Sequence, residues 1–275
     1  MKFSKINCGI TGHRGVLGSY LIKKNKKINF VKFKGNITKK KDIKKWLHNN
    51  TINMVMHFAA IVPTKTVTKN YKYANNVNFI GTKLLVNEVI KYNKIKWFFY
   101  SSTSHVYKFS NNKISENGVV NPISKYGLTK LKGENYIKKK LQNKIPFCIG
   151  RIFSFTSTKQ SKDYIIPSIF NKIKSKKKEI LFSNINHYRD FLSLKDISSA
   201  ILVLAKKNAT GIYNIGSGKK ILISDIVKIV FKKYKKNYYI KNSNKQTCLV
   251  SNNSKIKKLN WKPSQNIQSI IKELF

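Results

Sequence analysis

The chain has 275 residues, with 56 Lys and Arg against 10 Asp and Glu, a formal charge of +46. Its 41% hydrophobic and 12% aromatic content is enough to build a buried core, which excludes a disordered polybasic chain. The length fits one large or two modest domains.

The arginines are Arg14, Arg151 and Arg189 alone, so nearly all the cations are lysine. They sit among Asn and Ile in runs such as Lys23-Lys24-Asn25-Lys26-Lys27, Lys39-Lys40-Lys41 and Lys176-Lys177-Lys178. Base readout and stacking on nucleic acid depend on the guanidinium fork, which lysine cannot imitate. Lys, Asn and Ile share A/T-rich codons, so the charge reads as a coding bias over solvated faces. No specific nucleic acid is expected as a partner. Cys8, Cys148 and Cys248 are odd in number and form no CxxC pair, which predicts buried, reduced thiols in a cytoplasmic protein. An apolar strand begins at Ile6, leaving no room for a signal peptide, and no apolar run approaches the roughly 20 residues of a membrane helix, so no membrane insertion is expected.

Apolar runs of strand length alternate with segments of helical period, the pattern of an α/β fold with a Rossmann-type, doubly wound parallel sheet. The first strand is Ile6 to Ile10, followed by a turn, Thr11 to Gly18, and a helix from Ser19 to Lys24. Further strands are predicted at Phe30 to Phe33, Met54 to Phe58, Trp97 to Ser101 and Phe147 to Ile149. Helices are predicted at Lys41 to Asn49, Val77 to Tyr92 and Tyr126 to Gln142. No internal repeat or separating linker appears. After Arg151 the alternation loosens, which predicts a Rossmann domain over 1–155, with 190–215 returning to it. A smaller substrate-binding lobe then comprises 156–189 and 216–275.

Three features carry chemistry. Gly12, Gly15 and Gly18, between a strand and a helix, allow the backbone to approach a pyrophosphate whose charge rests on the helix's first amides. Tyr126 and Lys130 are four residues apart and share one helix face, where an ammonium would favour the phenolate of a tyrosine that otherwise titrates near pH ~10. The strand ending in Ser101-Ser102-Thr103-Ser104 presents hydroxyls at the carboxyl edge of the sheet, where such folds bind ligands.

With these residues in order, the chain resembles the extended short-chain dehydrogenase/reductases of the sugar-nucleotide epimerase, dehydratase and reductase group. The likeness runs through Thr11-Gly12-x-x-Gly15-x-x-Gly18, Gly35-Asn36-Ile37-Thr38, His57-Phe58-Ala59-Ala60, Asn78-x-x-Gly81-Thr82 and Ser101-Ser102-Thr103. It continues in Val106-Tyr107, Tyr126-x-x-x-Lys130, Arg189-Asp190-Phe191, Asp196 and Tyr213-Asn214-Ile215-Gly216-Ser217-Gly218. The resemblance implies that Tyr126 exchanges a proton with the substrate oxygen and that Thr103 hydrogen-bonds the same oxygen. Lys130 would bind the nicotinamide ribose and favour the phenolate. Gly12, Arg14, Gly15, Val16, Leu17, Gly18, Asn36, Ile37, Phe58, Ala59, Ala60, Asn78 and Ser101 would join Tyr126 and Lys130 in holding the cofactor. Thr103, Ser104, Ser154 and Arg189 would meet a nucleotide-sugar substrate, with Arg189 on its diphosphate. No metal is implied. His57 is expected to be packed, and Asn78 and Asp196 to support backbone.

Cofactor and reaction follow from departures. The stretch Asn29 to Gly35 lacks the acid that binds the ribose hydroxyls of NAD and offers Lys32 and Lys34. Gly12-His13-Arg14-Gly15 is similar to the turn in the GDP-fucose synthase branch, so NADP(H) is favoured over NAD(H). Asn36 stands where an Asp is usual, Ser154 where many members carry Asn, Lys108 for a glycine and Asn252 for an Asp. Ser104 and His105 replace the Asp-Glu pair of the dehydratases, which argues against elimination of water. The compact second lobe resembles the 4-ketosugar-nucleotide reductases, including the dTDP-rhamnose and GDP-rhamnose types, of surface-polysaccharide synthesis. The alternatives are an NAD-dependent sugar-nucleotide 4-epimerase and, from a different class, a non-catalytic cofactor- or polyanion-binding protein. Family members dimerise through two helices, which makes Tyr126 to Leu141 the candidate face of a homodimer, with like charges at Lys138 to Lys140.

Overall fold

A computed structural model describes residues 6–175, 179–183, 185–234, 237–241 and 246–274; the lysine run Lys176 to Lys178 lies outside them. The chain runs β1 (Asn7–Thr11), α1 (Val16–Lys24), β2 (Asn29–Lys32), α2 (Lys40–His48), β3 (Met54–His57), α3 (Thr64–Lys69) and α4 (Tyr71–Asn75). A π-helical turn, Asn76–Ile80, leads into α5 (Gly81–Tyr92), then β4 (Trp97–Thr103), α6 (Lys125–Leu141) and β5 (Phe147–Ile152). Next come β6 (Ser154–Phe155), α7 (Ile165–Ile173), β7 (Glu179–Ser183), β8 (His187–Arg189), β9 (Phe191–Leu192), α8 (Leu194–Lys206) and β10 (Gly211–Ile215). The last elements are β11 (Ile221–Leu222), α9 (Ile223–Tyr234), β12 (Asn237–Lys241), β13 (Thr247–Leu249), α10 (Ser254–Lys257) and α11 (Ile267–Lys272).

Six strands form one parallel sheet in the order β10-β5-β4-β3-β1-β2. Successive residues of its central strands point to opposite faces, and both faces are covered. Cys8, Met54, Met56, Trp97, Phe99 and Cys148 pack with Leu17 and Leu21 of α1 and Ile197, Ile201 and Leu204 of α8. Val55, Phe98, Tyr100 and Ile149 pack with α2, α5 and α6 through Ile43, Leu85, Val89 and Ile137. This is why the strands read as nearly continuous apolar runs.

The sheet order reverses between β1 and β3, so their carboxyl ends open a crevice at Gly12 and Phe58. The other strands form two- and three-stranded sheets, β11-β8-β13, β12-β7 and β6-β9. A separate core of Ile166, Ile169, Phe182, Ile226, Val230 and Ile271 supports part of that region.

Predicted and observed elements differ mainly at their ends. β4 and β5 extend to Thr103 and Ile152, carrying the hydroxyl series and Arg151 into the sheet. The helix predicted from Val77 begins instead as a π turn around the buried Asn78, whose amide is drawn toward Ile61. α3 and α4 fall in a segment for which the apolar pattern gave no element. Among the described residues, no helix is long and apolar enough to cross a membrane, and no cluster of three or more His, Cys, Asp or Glu could hold a metal ion.

Candidate active site

The site lies along the carboxyl edge of β1, β3 and β4. Gly12 adopts φ +71°, and a Cβ there would lie 2.6 Å from Ala59 N, so only glycine lets the turn press against the end of β3. Gly15 caps α1 with extended backbone, and the first turn, which includes Val16, Leu17 and Gly18, carries no acid to compete with an anion. The Ala59 amide donates to Thr11 Oγ1 at 3.2 Å, and Thr11 Oγ1 meets His57 Nδ1 at 2.6 Å. His57 Nε2 lies 2.9 Å from Thr82 Oγ1, so both ring nitrogens are used in strapping β1, β3 and α5 together. Asn78 likewise spends its amide on protein: Oδ1 accepts from Ile61 N at 2.7 Å, and Nδ2 donates to Ile61 O and Thr129 Oγ1 at 2.9 and 3.0 Å. It thereby fixes the segment that follows Ala59 and Ala60.

Beyond β2, the exposed Asn36 accepts from Thr38 and donates its backbone amide to Asp42 Oδ2 at 2.7 Å, while Ile37 is buried. Arg14, Lys32 and Lys34 are exposed and all act on His13, whose pKa is lowered by burial first and then by these cations. The edge of the glycine turn is therefore a cationic cluster. The turn, the crevice beside Phe58 to Ala60 and the cations together fit a dinucleotide.

Thr103 ends β4 and is buried beside Tyr126 at the start of α6. Two features hold the helix there. Ser124 caps it by accepting from Gly127 N at 3.0 Å, and Gly127 backs onto the His105 carbonyl so closely that any Cβ would collide with it. Burial raises the pKa of Tyr126, Tyr164 adds to that, and hydrogen bonding with Thr103 opposes it. Lys130 Nζ stands 4.0 Å from the Tyr100 ring centroid, and burial lowers its pKa to about 7 against the pull of Glu134. This corrects the simple expectation from spacing: both members of the pair are buried, and desolvation makes the phenol less acidic while weakening the lysine's hold on its proton.

Arg189 is fixed rather than free. Its Nη1 donates to Tyr188 O at 2.7 Å and to Thr247 O and Oγ1 at 3.3 and 3.2 Å, its Nη2 to Thr247 Oγ1 at 3.1 Å, and its guanidinium lies over Phe109. Burial lowers its pKa to about 10. The adjacent Asp190 carboxylate accepts from Ser217 N, Gly218 N, Ser251 N and Ser251 Oγ at 2.7, 2.9, 3.1 and 2.6 Å, clasping two distant segments behind it. Asp196 similarly gathers Ser193, Ser264 and Gln265. Ser101 is partly exposed in β4, Ser104 is buried, and Ser154 pairs with Phe191 in a short sheet.

Two residues near Tyr126 carry no role in the sequence reading. The His105 ring lies edge-on to Tyr126 at 6.0 Å and bonds Ser124 Oγ through Nδ1 at 3.0 Å. Burial, with a smaller contribution from Arg189, lowers its pKa to about 4. Tyr164 precedes α7 and disfavours ionisation of Tyr126. His105 was visible in the sequence only as the missing acid pair, and Tyr164 is distant in the chain and had no signal.

Residues 8–216 match the NAD dependent epimerase/dehydratase family, and the chain belongs to that family and is an enzyme of it. It is 29% identical over 248 residues to a putative UDP-glucose 4-epimerase of Methanocaldococcus jannaschii, covering 80% of each chain. A dTDP-D-glucose 4,6-dehydratase of Dictyostelium discoideum is 30% identical over 74% of this chain, which spans half of that relative. A dTDP-4-dehydro-6-deoxyglucose reductase of Escherichia coli is 26% identical, over 71% of this chain and 64% of the relative. The solved structure of RMD from Pseudomonas aeruginosa complexed with NADPH superposes with a TM-score of 0.89 at 18% identity, covering 98% of this chain and 97% of that one.

Proposed function

We propose that the protein is an NADP(H)-dependent reductase acting on the 4-keto group of a nucleotide-activated sugar, in the synthesis of surface polysaccharide. The observation that carries this reading is the convergence of Thr103 and Tyr126 with Lys130 one turn further along α6, beside a glycine crevice whose outer edge is cationic. When bound, the nicotinamide supplies the hydride. Tyr126 donates the proton that the resulting alkoxide needs, and Thr103 holds the carbonyl oxygen in place. Lys130 offsets negative charge at the phenol as its proton leaves. Arg14, with Lys32 and Lys34, meets a 2′-phosphate, while Arg189, held rigid by Thr247, presents the rest of its fork to the substrate's diphosphate.

The absence of carboxylates at Ser104 and His105 favours ketone reduction over elimination. The likeness to the Methanocaldococcus relative supports a second reading, a 4-epimerase that returns its hydride to the sugar. Assay with NADPH and a 4-ketosugar nucleotide separates them: net oxidation of NADPH is expected, and sugar conversion with no net change in cofactor would establish the epimerase instead. The buried thiols Cys8, Cys148 and Cys248 suit a reducing compartment, and the cytoplasm is part of the proposal, as is a homodimer through α6.

A further inference from the structure

Tyr126, Lys130 and Glu134 follow at intervals of four residues, which aligns them along one face of α6. All are buried, Lys130 and Glu134 at 1% and 0% exposure. The Glu134 carboxylate receives Arg151 Nη2 at 2.7 Å, Arg151 Nε at 3.0 and 3.3 Å, and Ser102 Oγ at 2.5 Å. Arg151 in turn stacks on Tyr107 at 4.6 Å and donates to the Glu116 carbonyl at 3.2 Å. Burial works to lower the Arg151 pKa, and the hydrogen bonds and charge of Glu134 outweigh it. A chain with only 10 acids has thus placed one of them, doubly anchored, a single turn beyond Lys130.

We propose that Glu134 is a positioning residue for the reaction: held by Arg151 and Ser102, its carboxylate supplies the negative charge that keeps the buried Lys130 ammonium protonated beneath the cofactor crevice. The inference rests on the role given to Lys130 above. The other groups facing Lys130 cannot serve. Tyr100 of β4 offers its ring, and its own ionisation is disfavoured by burial first and then by Glu134 and Tyr126. His57 of β3 is held neutral by burial, with Lys130 acting in the same direction. Tyr126 is a buried phenol, and Arg151 of β5 is itself a cation. Glu134 is the group that resists the desolvation of Lys130. A Glu134–Arg151 pair serving packing alone would leave the titration of Lys130 where it is.

The test is direct titration of Lys130 in the full-length protein, labelled with carbon-13 at lysine Cε and followed by NMR, with Lys130→Met identifying its resonance. In Glu134→Gln the midpoint should fall by about one pH unit or more, and in Glu134→Asp it should return toward the wild-type value. Because Glu134→Gln strands a buried guanidinium, Glu134→Gln/Arg151→Met is titrated as well, and its midpoint should also stay below that of the wild type. A midpoint unchanged in Glu134→Gln, or restored in the double variant, overturns the proposal. NADPH binding measured across the same pH range forms a separate arm: a wild type that does not bind NADPH at any pH refutes the cofactor reading, while the lysine titration still decides the role of Glu134.

Discussion

The Lys130 ammonium stands 4.0 Å over the Tyr100 ring, and the Tyr100 hydroxyl donates back to the Lys130 carbonyl at 3.4 Å. The aromatic face replaces part of the hydration a buried cation loses, but it supplies no net charge. Tyr126, one turn earlier, has Thr103 as its hydrogen-bonding neighbour. The two groups that spacing alone would pair therefore each meet a different residue of β4.

Tyr126→Phe removes the proton donor without changing the shape of the site. Turnover of a 4-ketosugar nucleotide should fall by about 10²–10⁴-fold while NADPH affinity stays within a factor of about three, as read by fluorescence titration. Activity retained at the wild-type level would remove Tyr126 from the chemistry.

Lys130→Met trades function for stability. The pKa of Lys130, lowered to about 7 by burial, means that the unfolded chain holds a proton the folded chain releases between about 7 and the ordinary lysine value of ~10.4. Stability of the wild type should rise with pH across that window, and Lys130→Met should lose this slope, with Tm at pH 7 higher by several degrees and turnover sharply reduced. Parallel stability curves for the two proteins would contradict the burial argument.

Arg14→Ala should weaken NADPH binding about tenfold, a loss of ~1.4 kcal/mol, and leave NADH binding nearly unchanged. Equal losses for the two cofactors would mean that Arg14 meets the shared pyrophosphate and not the 2′-phosphate.

At acid pH the buried His57 and the half-buried His105 set the limit. Burial lowers the pKa of His57 well below the ordinary value and that of His105 to about 4. Both take up protons more readily when unfolded, so their contribution to stability is complete above pH ~6.5 and is lost as pH falls below it. The urea midpoint should drop progressively between pH 6.5 and 4, and His57→Gln should make that fall shallower. A midpoint constant over this range would show that neither histidine is buried neutral.

Much of this architecture was legible in the sequence because the central strands are buried on both faces. Apolar runs such as Trp97 to Tyr100 have no other reading when they alternate with periodic helices. Gly12 and the Tyr126–Lys130 spacing were equally legible, since each depends on local geometry. The rest depends on contacts between residues far apart in the chain. Glu134 and Arg151 meet across α6 and β5, and Asp190 gathers Ser217 and Ser251 from distant segments. The sequence shows Arg151 and Arg189 as two of its three arginines but not what holds them: a buried carboxylate for one, Thr247 for the other. The Tyr126 environment was misjudged for the same reason, because a four-residue spacing conveys proximity but not desolvation.

The central claim is tested most directly by stopped reaction of the purified enzyme with NADPH and a 4-ketosugar nucleotide, with product sugar and oxidised cofactor counted together. The account predicts one NADPH oxidised for each 4-hydroxy sugar formed, with both lost in Tyr126→Phe. Conversion of a sugar nucleotide with no net oxidation of NADPH would contradict it.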